Sequence, residues 1–146
     1  VWSPHYNKDK ALLERVQHRF THLFENLKDL SYETRLRNLK LWTLEERRNR
    51  SDLIELYKMI HGFSKLSFDQ FFTFAPYTAT RGHSQKLAKR QSNTDIKMFS
   101  FSARVINRWN SLSQEAIDAS TVNAFKGQLQ RLRNSKMGFF MDNWSA

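Results

Sequence analysis

The chain has 146 residues, 40% hydrophobic and 14% aromatic, with only four Gly and two Pro, a composition that builds a core and excludes a disordered tail. It holds no cysteine, which excludes a disulfide scaffold and a thiolate metal centre, and its apolar runs are too short for a transmembrane helix. Lys and Arg number 24 against 14 Asp and Glu, a net charge of +10, and such an excess points to a polyanionic partner.

The excess is uneven. Residues 1–60 hold twelve cations and nine acids, a net of +3, whereas residues 61–146 hold twelve and five, a net of +7. Gln70–Thr94 and Ala119–Met141 contain no acid at all, so their positive potential is not cancelled by sequence neighbours. The chain opens at Val1 and not at Met, as expected of a piece of a longer polypeptide. With no secretory signal in view, a cytoplasmic or nuclear protein is expected, neither secreted nor membrane-bound.

Helical periodicity starts at Lys8–Leu27. Leu12, Val16, Phe20, Leu23 and Leu27 share one side, widened by Leu13 and Phe24, and are expected to form a core face. Arg15, His18, Arg19 and His22 recur at i, i+3, i+4 and i+7 on the other side, forming a cationic stripe exposed to solvent. A short helix follows Ser31, with Leu36 and Leu39 inward. Thr43-Leu44-Glu45-Glu46 fits a capping box that opens a longer helix with Leu53, Leu56, Tyr57 and Ile60 buried, ended by Gly62. Arg47 and Arg48 are expected to pair with acids in a surface network. Ser67-Phe68-Asp69-Gln70 is a second capping box, for a short helix bearing Phe68, Phe71 and Phe72.

Between Tyr77 and Asp95 helical periodicity is lost and Thr, Gly, Ser and Asn accumulate, which predicts an irregular basic extended segment or hairpin near residues 77–97 with its turn at Ser92-Asn93-Thr94. Arg81, His83, Lys86, Lys89 and Arg90 lie in it. Helical spacing returns with Phe101, Val105, Trp109 and Leu112 inward, Ile106 on the flank, and Arg104, Asn107, Arg108 and Ser111 outward. Ser120 is the expected cap of a last helix that buries Val122, Phe125, Leu129 and Leu132. The fold class is therefore mainly α: a small helical bundle over residues 1–134, then an apolar tail over 135–146 whose Phe139, Phe140 and Trp144 offer an interface to another protein.

Catalytic chemistry has little to stand on. His18 and His22 have a metal-compatible spacing but no third ligand nearby, the four glycines are isolated, and Glu45 and Glu46 diverge on their helix. No catalytic residue, metal site or cofactor is expected. Asn49-Arg50-Ser51 and Asn143-Trp144-Ser145 match the glycosylation sequon by chance.

Several strings, in this order, resemble the C-terminal region, downstream of the polymerase core, of the reverse-transcriptase polyprotein of LINE-type (jockey-like, non-LTR) retrotransposons. They are Val1-Trp2-Ser3-Pro4, Leu13-Glu14-Arg15-Val16-Gln17-His18-Arg19-Phe20, Leu30-Ser31-Tyr32-Glu33 with Arg35-Leu36, and Leu44-Glu45 with Arg47-Arg48. Further along come Asp52-Leu53-Ile54-Glu55-Leu56-Tyr57-Lys58 with Gly62, Thr80-Arg81-Gly82-His83-Ser84, Arg104-Val105-Ile106-Asn107-Arg108-Trp109-Asn110-Ser111-Leu112, and Val122-Asn123-Ala124-Phe125-Lys126. Trp42 and Ser113 stand where that family usually has proline, so a decayed or repurposed copy is compatible with the pattern. The resemblance implies a parent that copies RNA into DNA, but the aromatic-Ala-Asp-Asp signature that holds the two Mg²⁺ ions of such an enzyme occurs nowhere here. What it implies for this chain is an accessory domain that binds the RNA or DNA backbone, with the polymerase core of the parent as a further partner. The residues expected to bind are Arg15, His18, Arg19, His22, Arg81, His83, Lys86, Lys89, Arg90, Arg104, Asn107 and Arg108, with Tyr77 or His83 able to stack on bases. The alternative is a helical protein-interaction module.

Overall fold

The computed structural model describes residues 3–76, 81–89 and 100–144. Among them are seven α-helices: α1 (Asn7–Thr21), α2 (Tyr32–Asn38), α3 (Leu44–Ile60), α4 (Phe68–Phe71), α5 (Phe101–Asn110), α6 (Gln114–Ile117) and α7 (Val122–Ser135), with a 3₁₀ turn at Glu25–Leu27. The mainly helical fold read from the sequence is correct. The chain divides into two compact units, Val1–Asn49 with Phe140–Asp142, and Arg50–Phe139 with Asn143–Ala146.

In the first unit Leu27, Leu36, Trp42 and Phe140 are buried, and the Trp42 and Phe140 rings meet at 5.0 Å. Ser31 caps α2 through the Thr34 amide, and Lys40, at φ 54°, supplies the left-handed residue that closes it. The Thr43 capping box forms: the Glu46 amide donates to Thr43 Oγ1, and Glu46 Oε1 accepts from the Thr43 amide. Trp42 lends its ring to this core and its carbonyl to Gln17.

α1 corrects the sequence reading. It ends at Thr21 instead of continuing to Leu27, and its apolar stripe faces out, with Val16 68% and Leu23 74% exposed. The polar side faces in: Gln17 and Thr21 are buried. Gln17 Nε2 donates to the Trp42 carbonyl at 2.9 Å and to the Tyr32 hydroxyl, while Glu14 accepts from the Tyr32 hydroxyl and the Leu44 amide. Burial of polar groups is tolerated where each finds a partner, and here the partners lie on α2 and at the start of α3. Periodicity marks an apolar face; it does not say which side of the helix the fold buries.

The second unit has a conventional apolar core. Leu53, Leu56 and Tyr57 of α3, Val105 and Trp109 of α5, and Phe125 and Leu129 of α7 are buried as the sequence predicts, and Ile106, read as flanking, is buried with them. The Tyr57 and Phe125 rings stack at 4.5 Å. Gly62 closes α3 at φ 73°, the conformation that lets the Phe63 amide reach back to the Lys58 carbonyl. The second capping box does not form, since Ser67 makes no side-chain cap on α4. Thr121, and not Ser120, caps α7, and Ser113 caps α6, a helix the sequence reading missed.

Candidate nucleic-acid interface

The second unit presents one basic loop, Arg81–Lys89, and holds it by side chains from α5 and α6. Trp109, fully buried, donates from Nε1 to the Gln85 carbonyl at 2.9 Å. The next residue, Asn110, accepts from the Leu87 amide and donates to the Leu87 carbonyl. Gln114 accepts from the Ser84 amide at 2.8 Å and donates to its hydroxyl. On the far edge, Ala75 donates to the Lys86 carbonyl and Ala88 to the Thr73 carbonyl, around an antiparallel bridge between Phe74 and Leu87. The turn at Gly82, φ 130°, lets the Lys86 stem cross where a side chain would stand, and Lys86 Nζ donates to the Arg81 carbonyl.

His83 belongs to this scaffold and corrects the expectation of an exposed stacking ring. It is buried, its Nε2–H donates to the Trp109 carbonyl at 2.8 Å, and its Nδ1 accepts from the Gln85 amide. Both nitrogens are used by the neutral ring. Burial pushes its pKa below the usual value, the carbonyl bond opposes that, and nearby Lys86 adds to the lowering.

The other expected contacts separate by burial. Arg104 pairs with Asp52 across 2.6 Å, both largely shielded. Arg108 is buried and donates from Nε to the Phe139 carbonyl, so the outward face read for α5 reduces to exposed Asn107 and half-buried Ser111. On α1, Arg15 and Arg19 are exposed, but His18 is turned toward α2. Its Nε2 accepts from buried Arg35 at 3.1 Å, and burial, then the Arg35 and His22 charges, lower its pKa. His22 is half-buried beside His18. Arg48 is buried, and not on the surface where the sequence reading placed it. Arg90, Tyr77 and the turn at Ser92-Asn93-Thr94 lie outside the described residues.

The exposed cations that remain from the expected set, Arg15, Arg19, Arg81 and Lys89, have no carboxylate within ion-pair distance among the described residues. Of the tail aromatics offered to a protein partner, Phe139 and Phe140 are buried, and half-buried Trp144 packs on Phe139 at 4.8 Å with the Arg108 and Lys136 cations over its ring. No cluster of three or more His, Cys, Asp or Glu arranged for a metal occurs among the described residues, and none of their helices is long and apolar enough to cross a membrane. No protein-family model matches the chain, and no curated protein or solved structure matches it.

Proposed function

We propose that the chain is a non-catalytic accessory module that grips the sugar-phosphate backbone of RNA or DNA, in keeping with its resemblance to the region downstream of the polymerase core in LINE-type reverse transcriptases. The observation that carries the reading is the pinned loop. Arg81 and Lys89 are exposed at its two ends, without carboxylate partners among the described residues, while α5 and α6 hold the backbone between them. A cation on a preorganised backbone meets a phosphate without the entropy cost of ordering a loop. Contacts of this kind fix the position of a strand and do not read its sequence.

Titration of a labelled RNA hairpin and a single-stranded DNA with the full chain, at 50 and 200 mM salt, tests this. A grip on about six phosphates weakens roughly a thousandfold across that range. Arg81→Ala with Lys89→Ala lowers the slope of log K against log salt by about 1.4 to 1.8. Affinity equal to that of an unrelated protein of the same net charge, or a slope the double substitution does not move, overturns the reading.

A further inference from the structure

α1 buries its polar side and leaves a ridge of Leu12, Val16 and Phe20 outside, 54%, 68% and 50% exposed. It cannot roll to hide them. The roll would break the Gln17 bond to the Trp42 carbonyl, the Glu14 bond to the Leu44 amide, and the 3.0 Å bond from Arg35 Nε to Thr21 Oγ1. Arg35 is itself buried, with its other bonds going to the Leu30 carbonyl and His18, and a buried guanidinium that loses an acceptor is costly. The apolar ridge is therefore a fixed feature of the surface.

The ridge has the form of a helix-packing element. Spacing of i, i+4, i+8 sets the three side chains in one row about 12 Å long, the row that seats in the groove of a second helix. Phe24 extends it, edge-on to Phe20 at 5.6 Å. Lys8, Arg15 and Arg19, all exposed, run along one edge, within about 60° of Leu12 on the side away from Phe20 at 100° per residue. Of the two acids of α1, Glu14 is engaged internally and Asp9 is half-buried in the first turn.

We propose that this face docks an amphipathic helix of a partner protein whose apolar stripe is edged by Asp and Glu. The cationic edge supplies the complementarity. A second copy of the chain is disfavoured, because an antiparallel α1 pair brings like-charged rows together. A nucleic-acid strand stacks its bases on aromatic faces, and Leu12 and Val16 are aliphatic. The inference is independent of the phosphate-binding reading, which uses the loop of the second unit.

The test uses the full chain and two labelled, stapled amphipathic peptides, one with Leu along its stripe and Glu on the edge, the other with Lys replacing Glu. The Glu peptide binds at least about tenfold more tightly. Leu12→Ser and Val16→Ser each weaken it about tenfold with an unchanged circular-dichroism melt, and Arg15→Glu with Arg19→Glu reverses the preference. Arg81→Ala with Lys89→Ala leaves peptide binding unchanged, which separates the two readings. Equal binding of both peptides, or binding of neither, overturns the proposal. So does Val16→Ser abolishing attachment to phosphatidylserine vesicles or to oligo(dT), or dissolving a dimer in sedimentation.

Discussion

The carboxamide of Asn110 engages both backbone polar groups of Leu87, accepting from its amide at 2.8 Å and donating to its carbonyl at 3.0 Å. A side chain at the end of α5 thus takes the place of a neighbouring strand, and the loop gains a ladder contact without a sheet.

Asn110→Asp keeps the acceptor and removes the donor, so the Leu87 carbonyl loses its bond. The expected result is faster amide exchange through Ser84–Leu87 while α5 stays protected, with a cost of about 1–3 kcal/mol in urea unfolding. Trp109→Ala is more severe. Its ring is fully buried and its indole holds the Gln85 carbonyl, so a loss of about 3–5 kcal/mol is expected. Unchanged amide exchange in the first variant shows that the loop is held by other contacts.

Arg104 separates structure from binding. Its bond to Asp52 is charge-assisted and mostly shielded, so Arg104→Ala costs about 1.5–3 kcal/mol of stability. Nucleic-acid affinity, compared at a temperature where both proteins are folded, stays the same. A lower salt slope in this variant would return Arg104 to the interface.

On α1 the usual ranking of substitutions is inverted. Val16→Ala changes a side chain that stands in solvent and shifts stability by less than about 0.5 kcal/mol. Gln17→Ala removes the inward bonds to the Trp42 carbonyl and the Tyr32 hydroxyl and costs about 1–3 kcal/mol. Chemical denaturation of the two single variants decides between this arrangement and a helix that buries its apolar stripe.

Two histidines make stability fall with acid. His83 and His18 both accept a hydrogen bond on a ring nitrogen, and both have pKa values lowered below 6.5 in the fold. The unfolded chain therefore takes up protons first as pH falls through about 6.5. Stability is full above that pH and declines below it, toward the folded-state values. Urea unfolding at pH 7.5 and 5.5 measures the decline, and His83→Gln reduces it.

The second unit was largely legible because apolar periodicity and its burial coincide. Val105, Trp109, Phe125 and Leu129 repeat at helical spacing and are the residues that meet inside. Caps that rest on local chemistry, such as Thr43 with Glu46 and Gly62 after α3, could be read for the same reason. The candidate interface was harder. Arg35 and Arg108 end on the carbonyls of Leu30 and Phe139, and every residue carries a carbonyl, so no pattern marks the one that will receive a cation. Asp52 lies 52 residues from Arg104 and gives no local signal either. α1 was misread for a different reason. Its polar side is satisfied by Tyr32, Trp42 and Arg35, whose positions depend on the tertiary fold.

The seat of His83 has a spectroscopic consequence. A neutral imidazole held as one tautomer carries a single nitrogen-bound proton, here on Nε2 and directed at the Trp109 carbonyl inside the protein. In a nitrogen–proton correlation spectrum that proton gives an isolated, slowly exchanging resonance, a built-in probe of the loop's attachment that needs no label on the loop's exposed side.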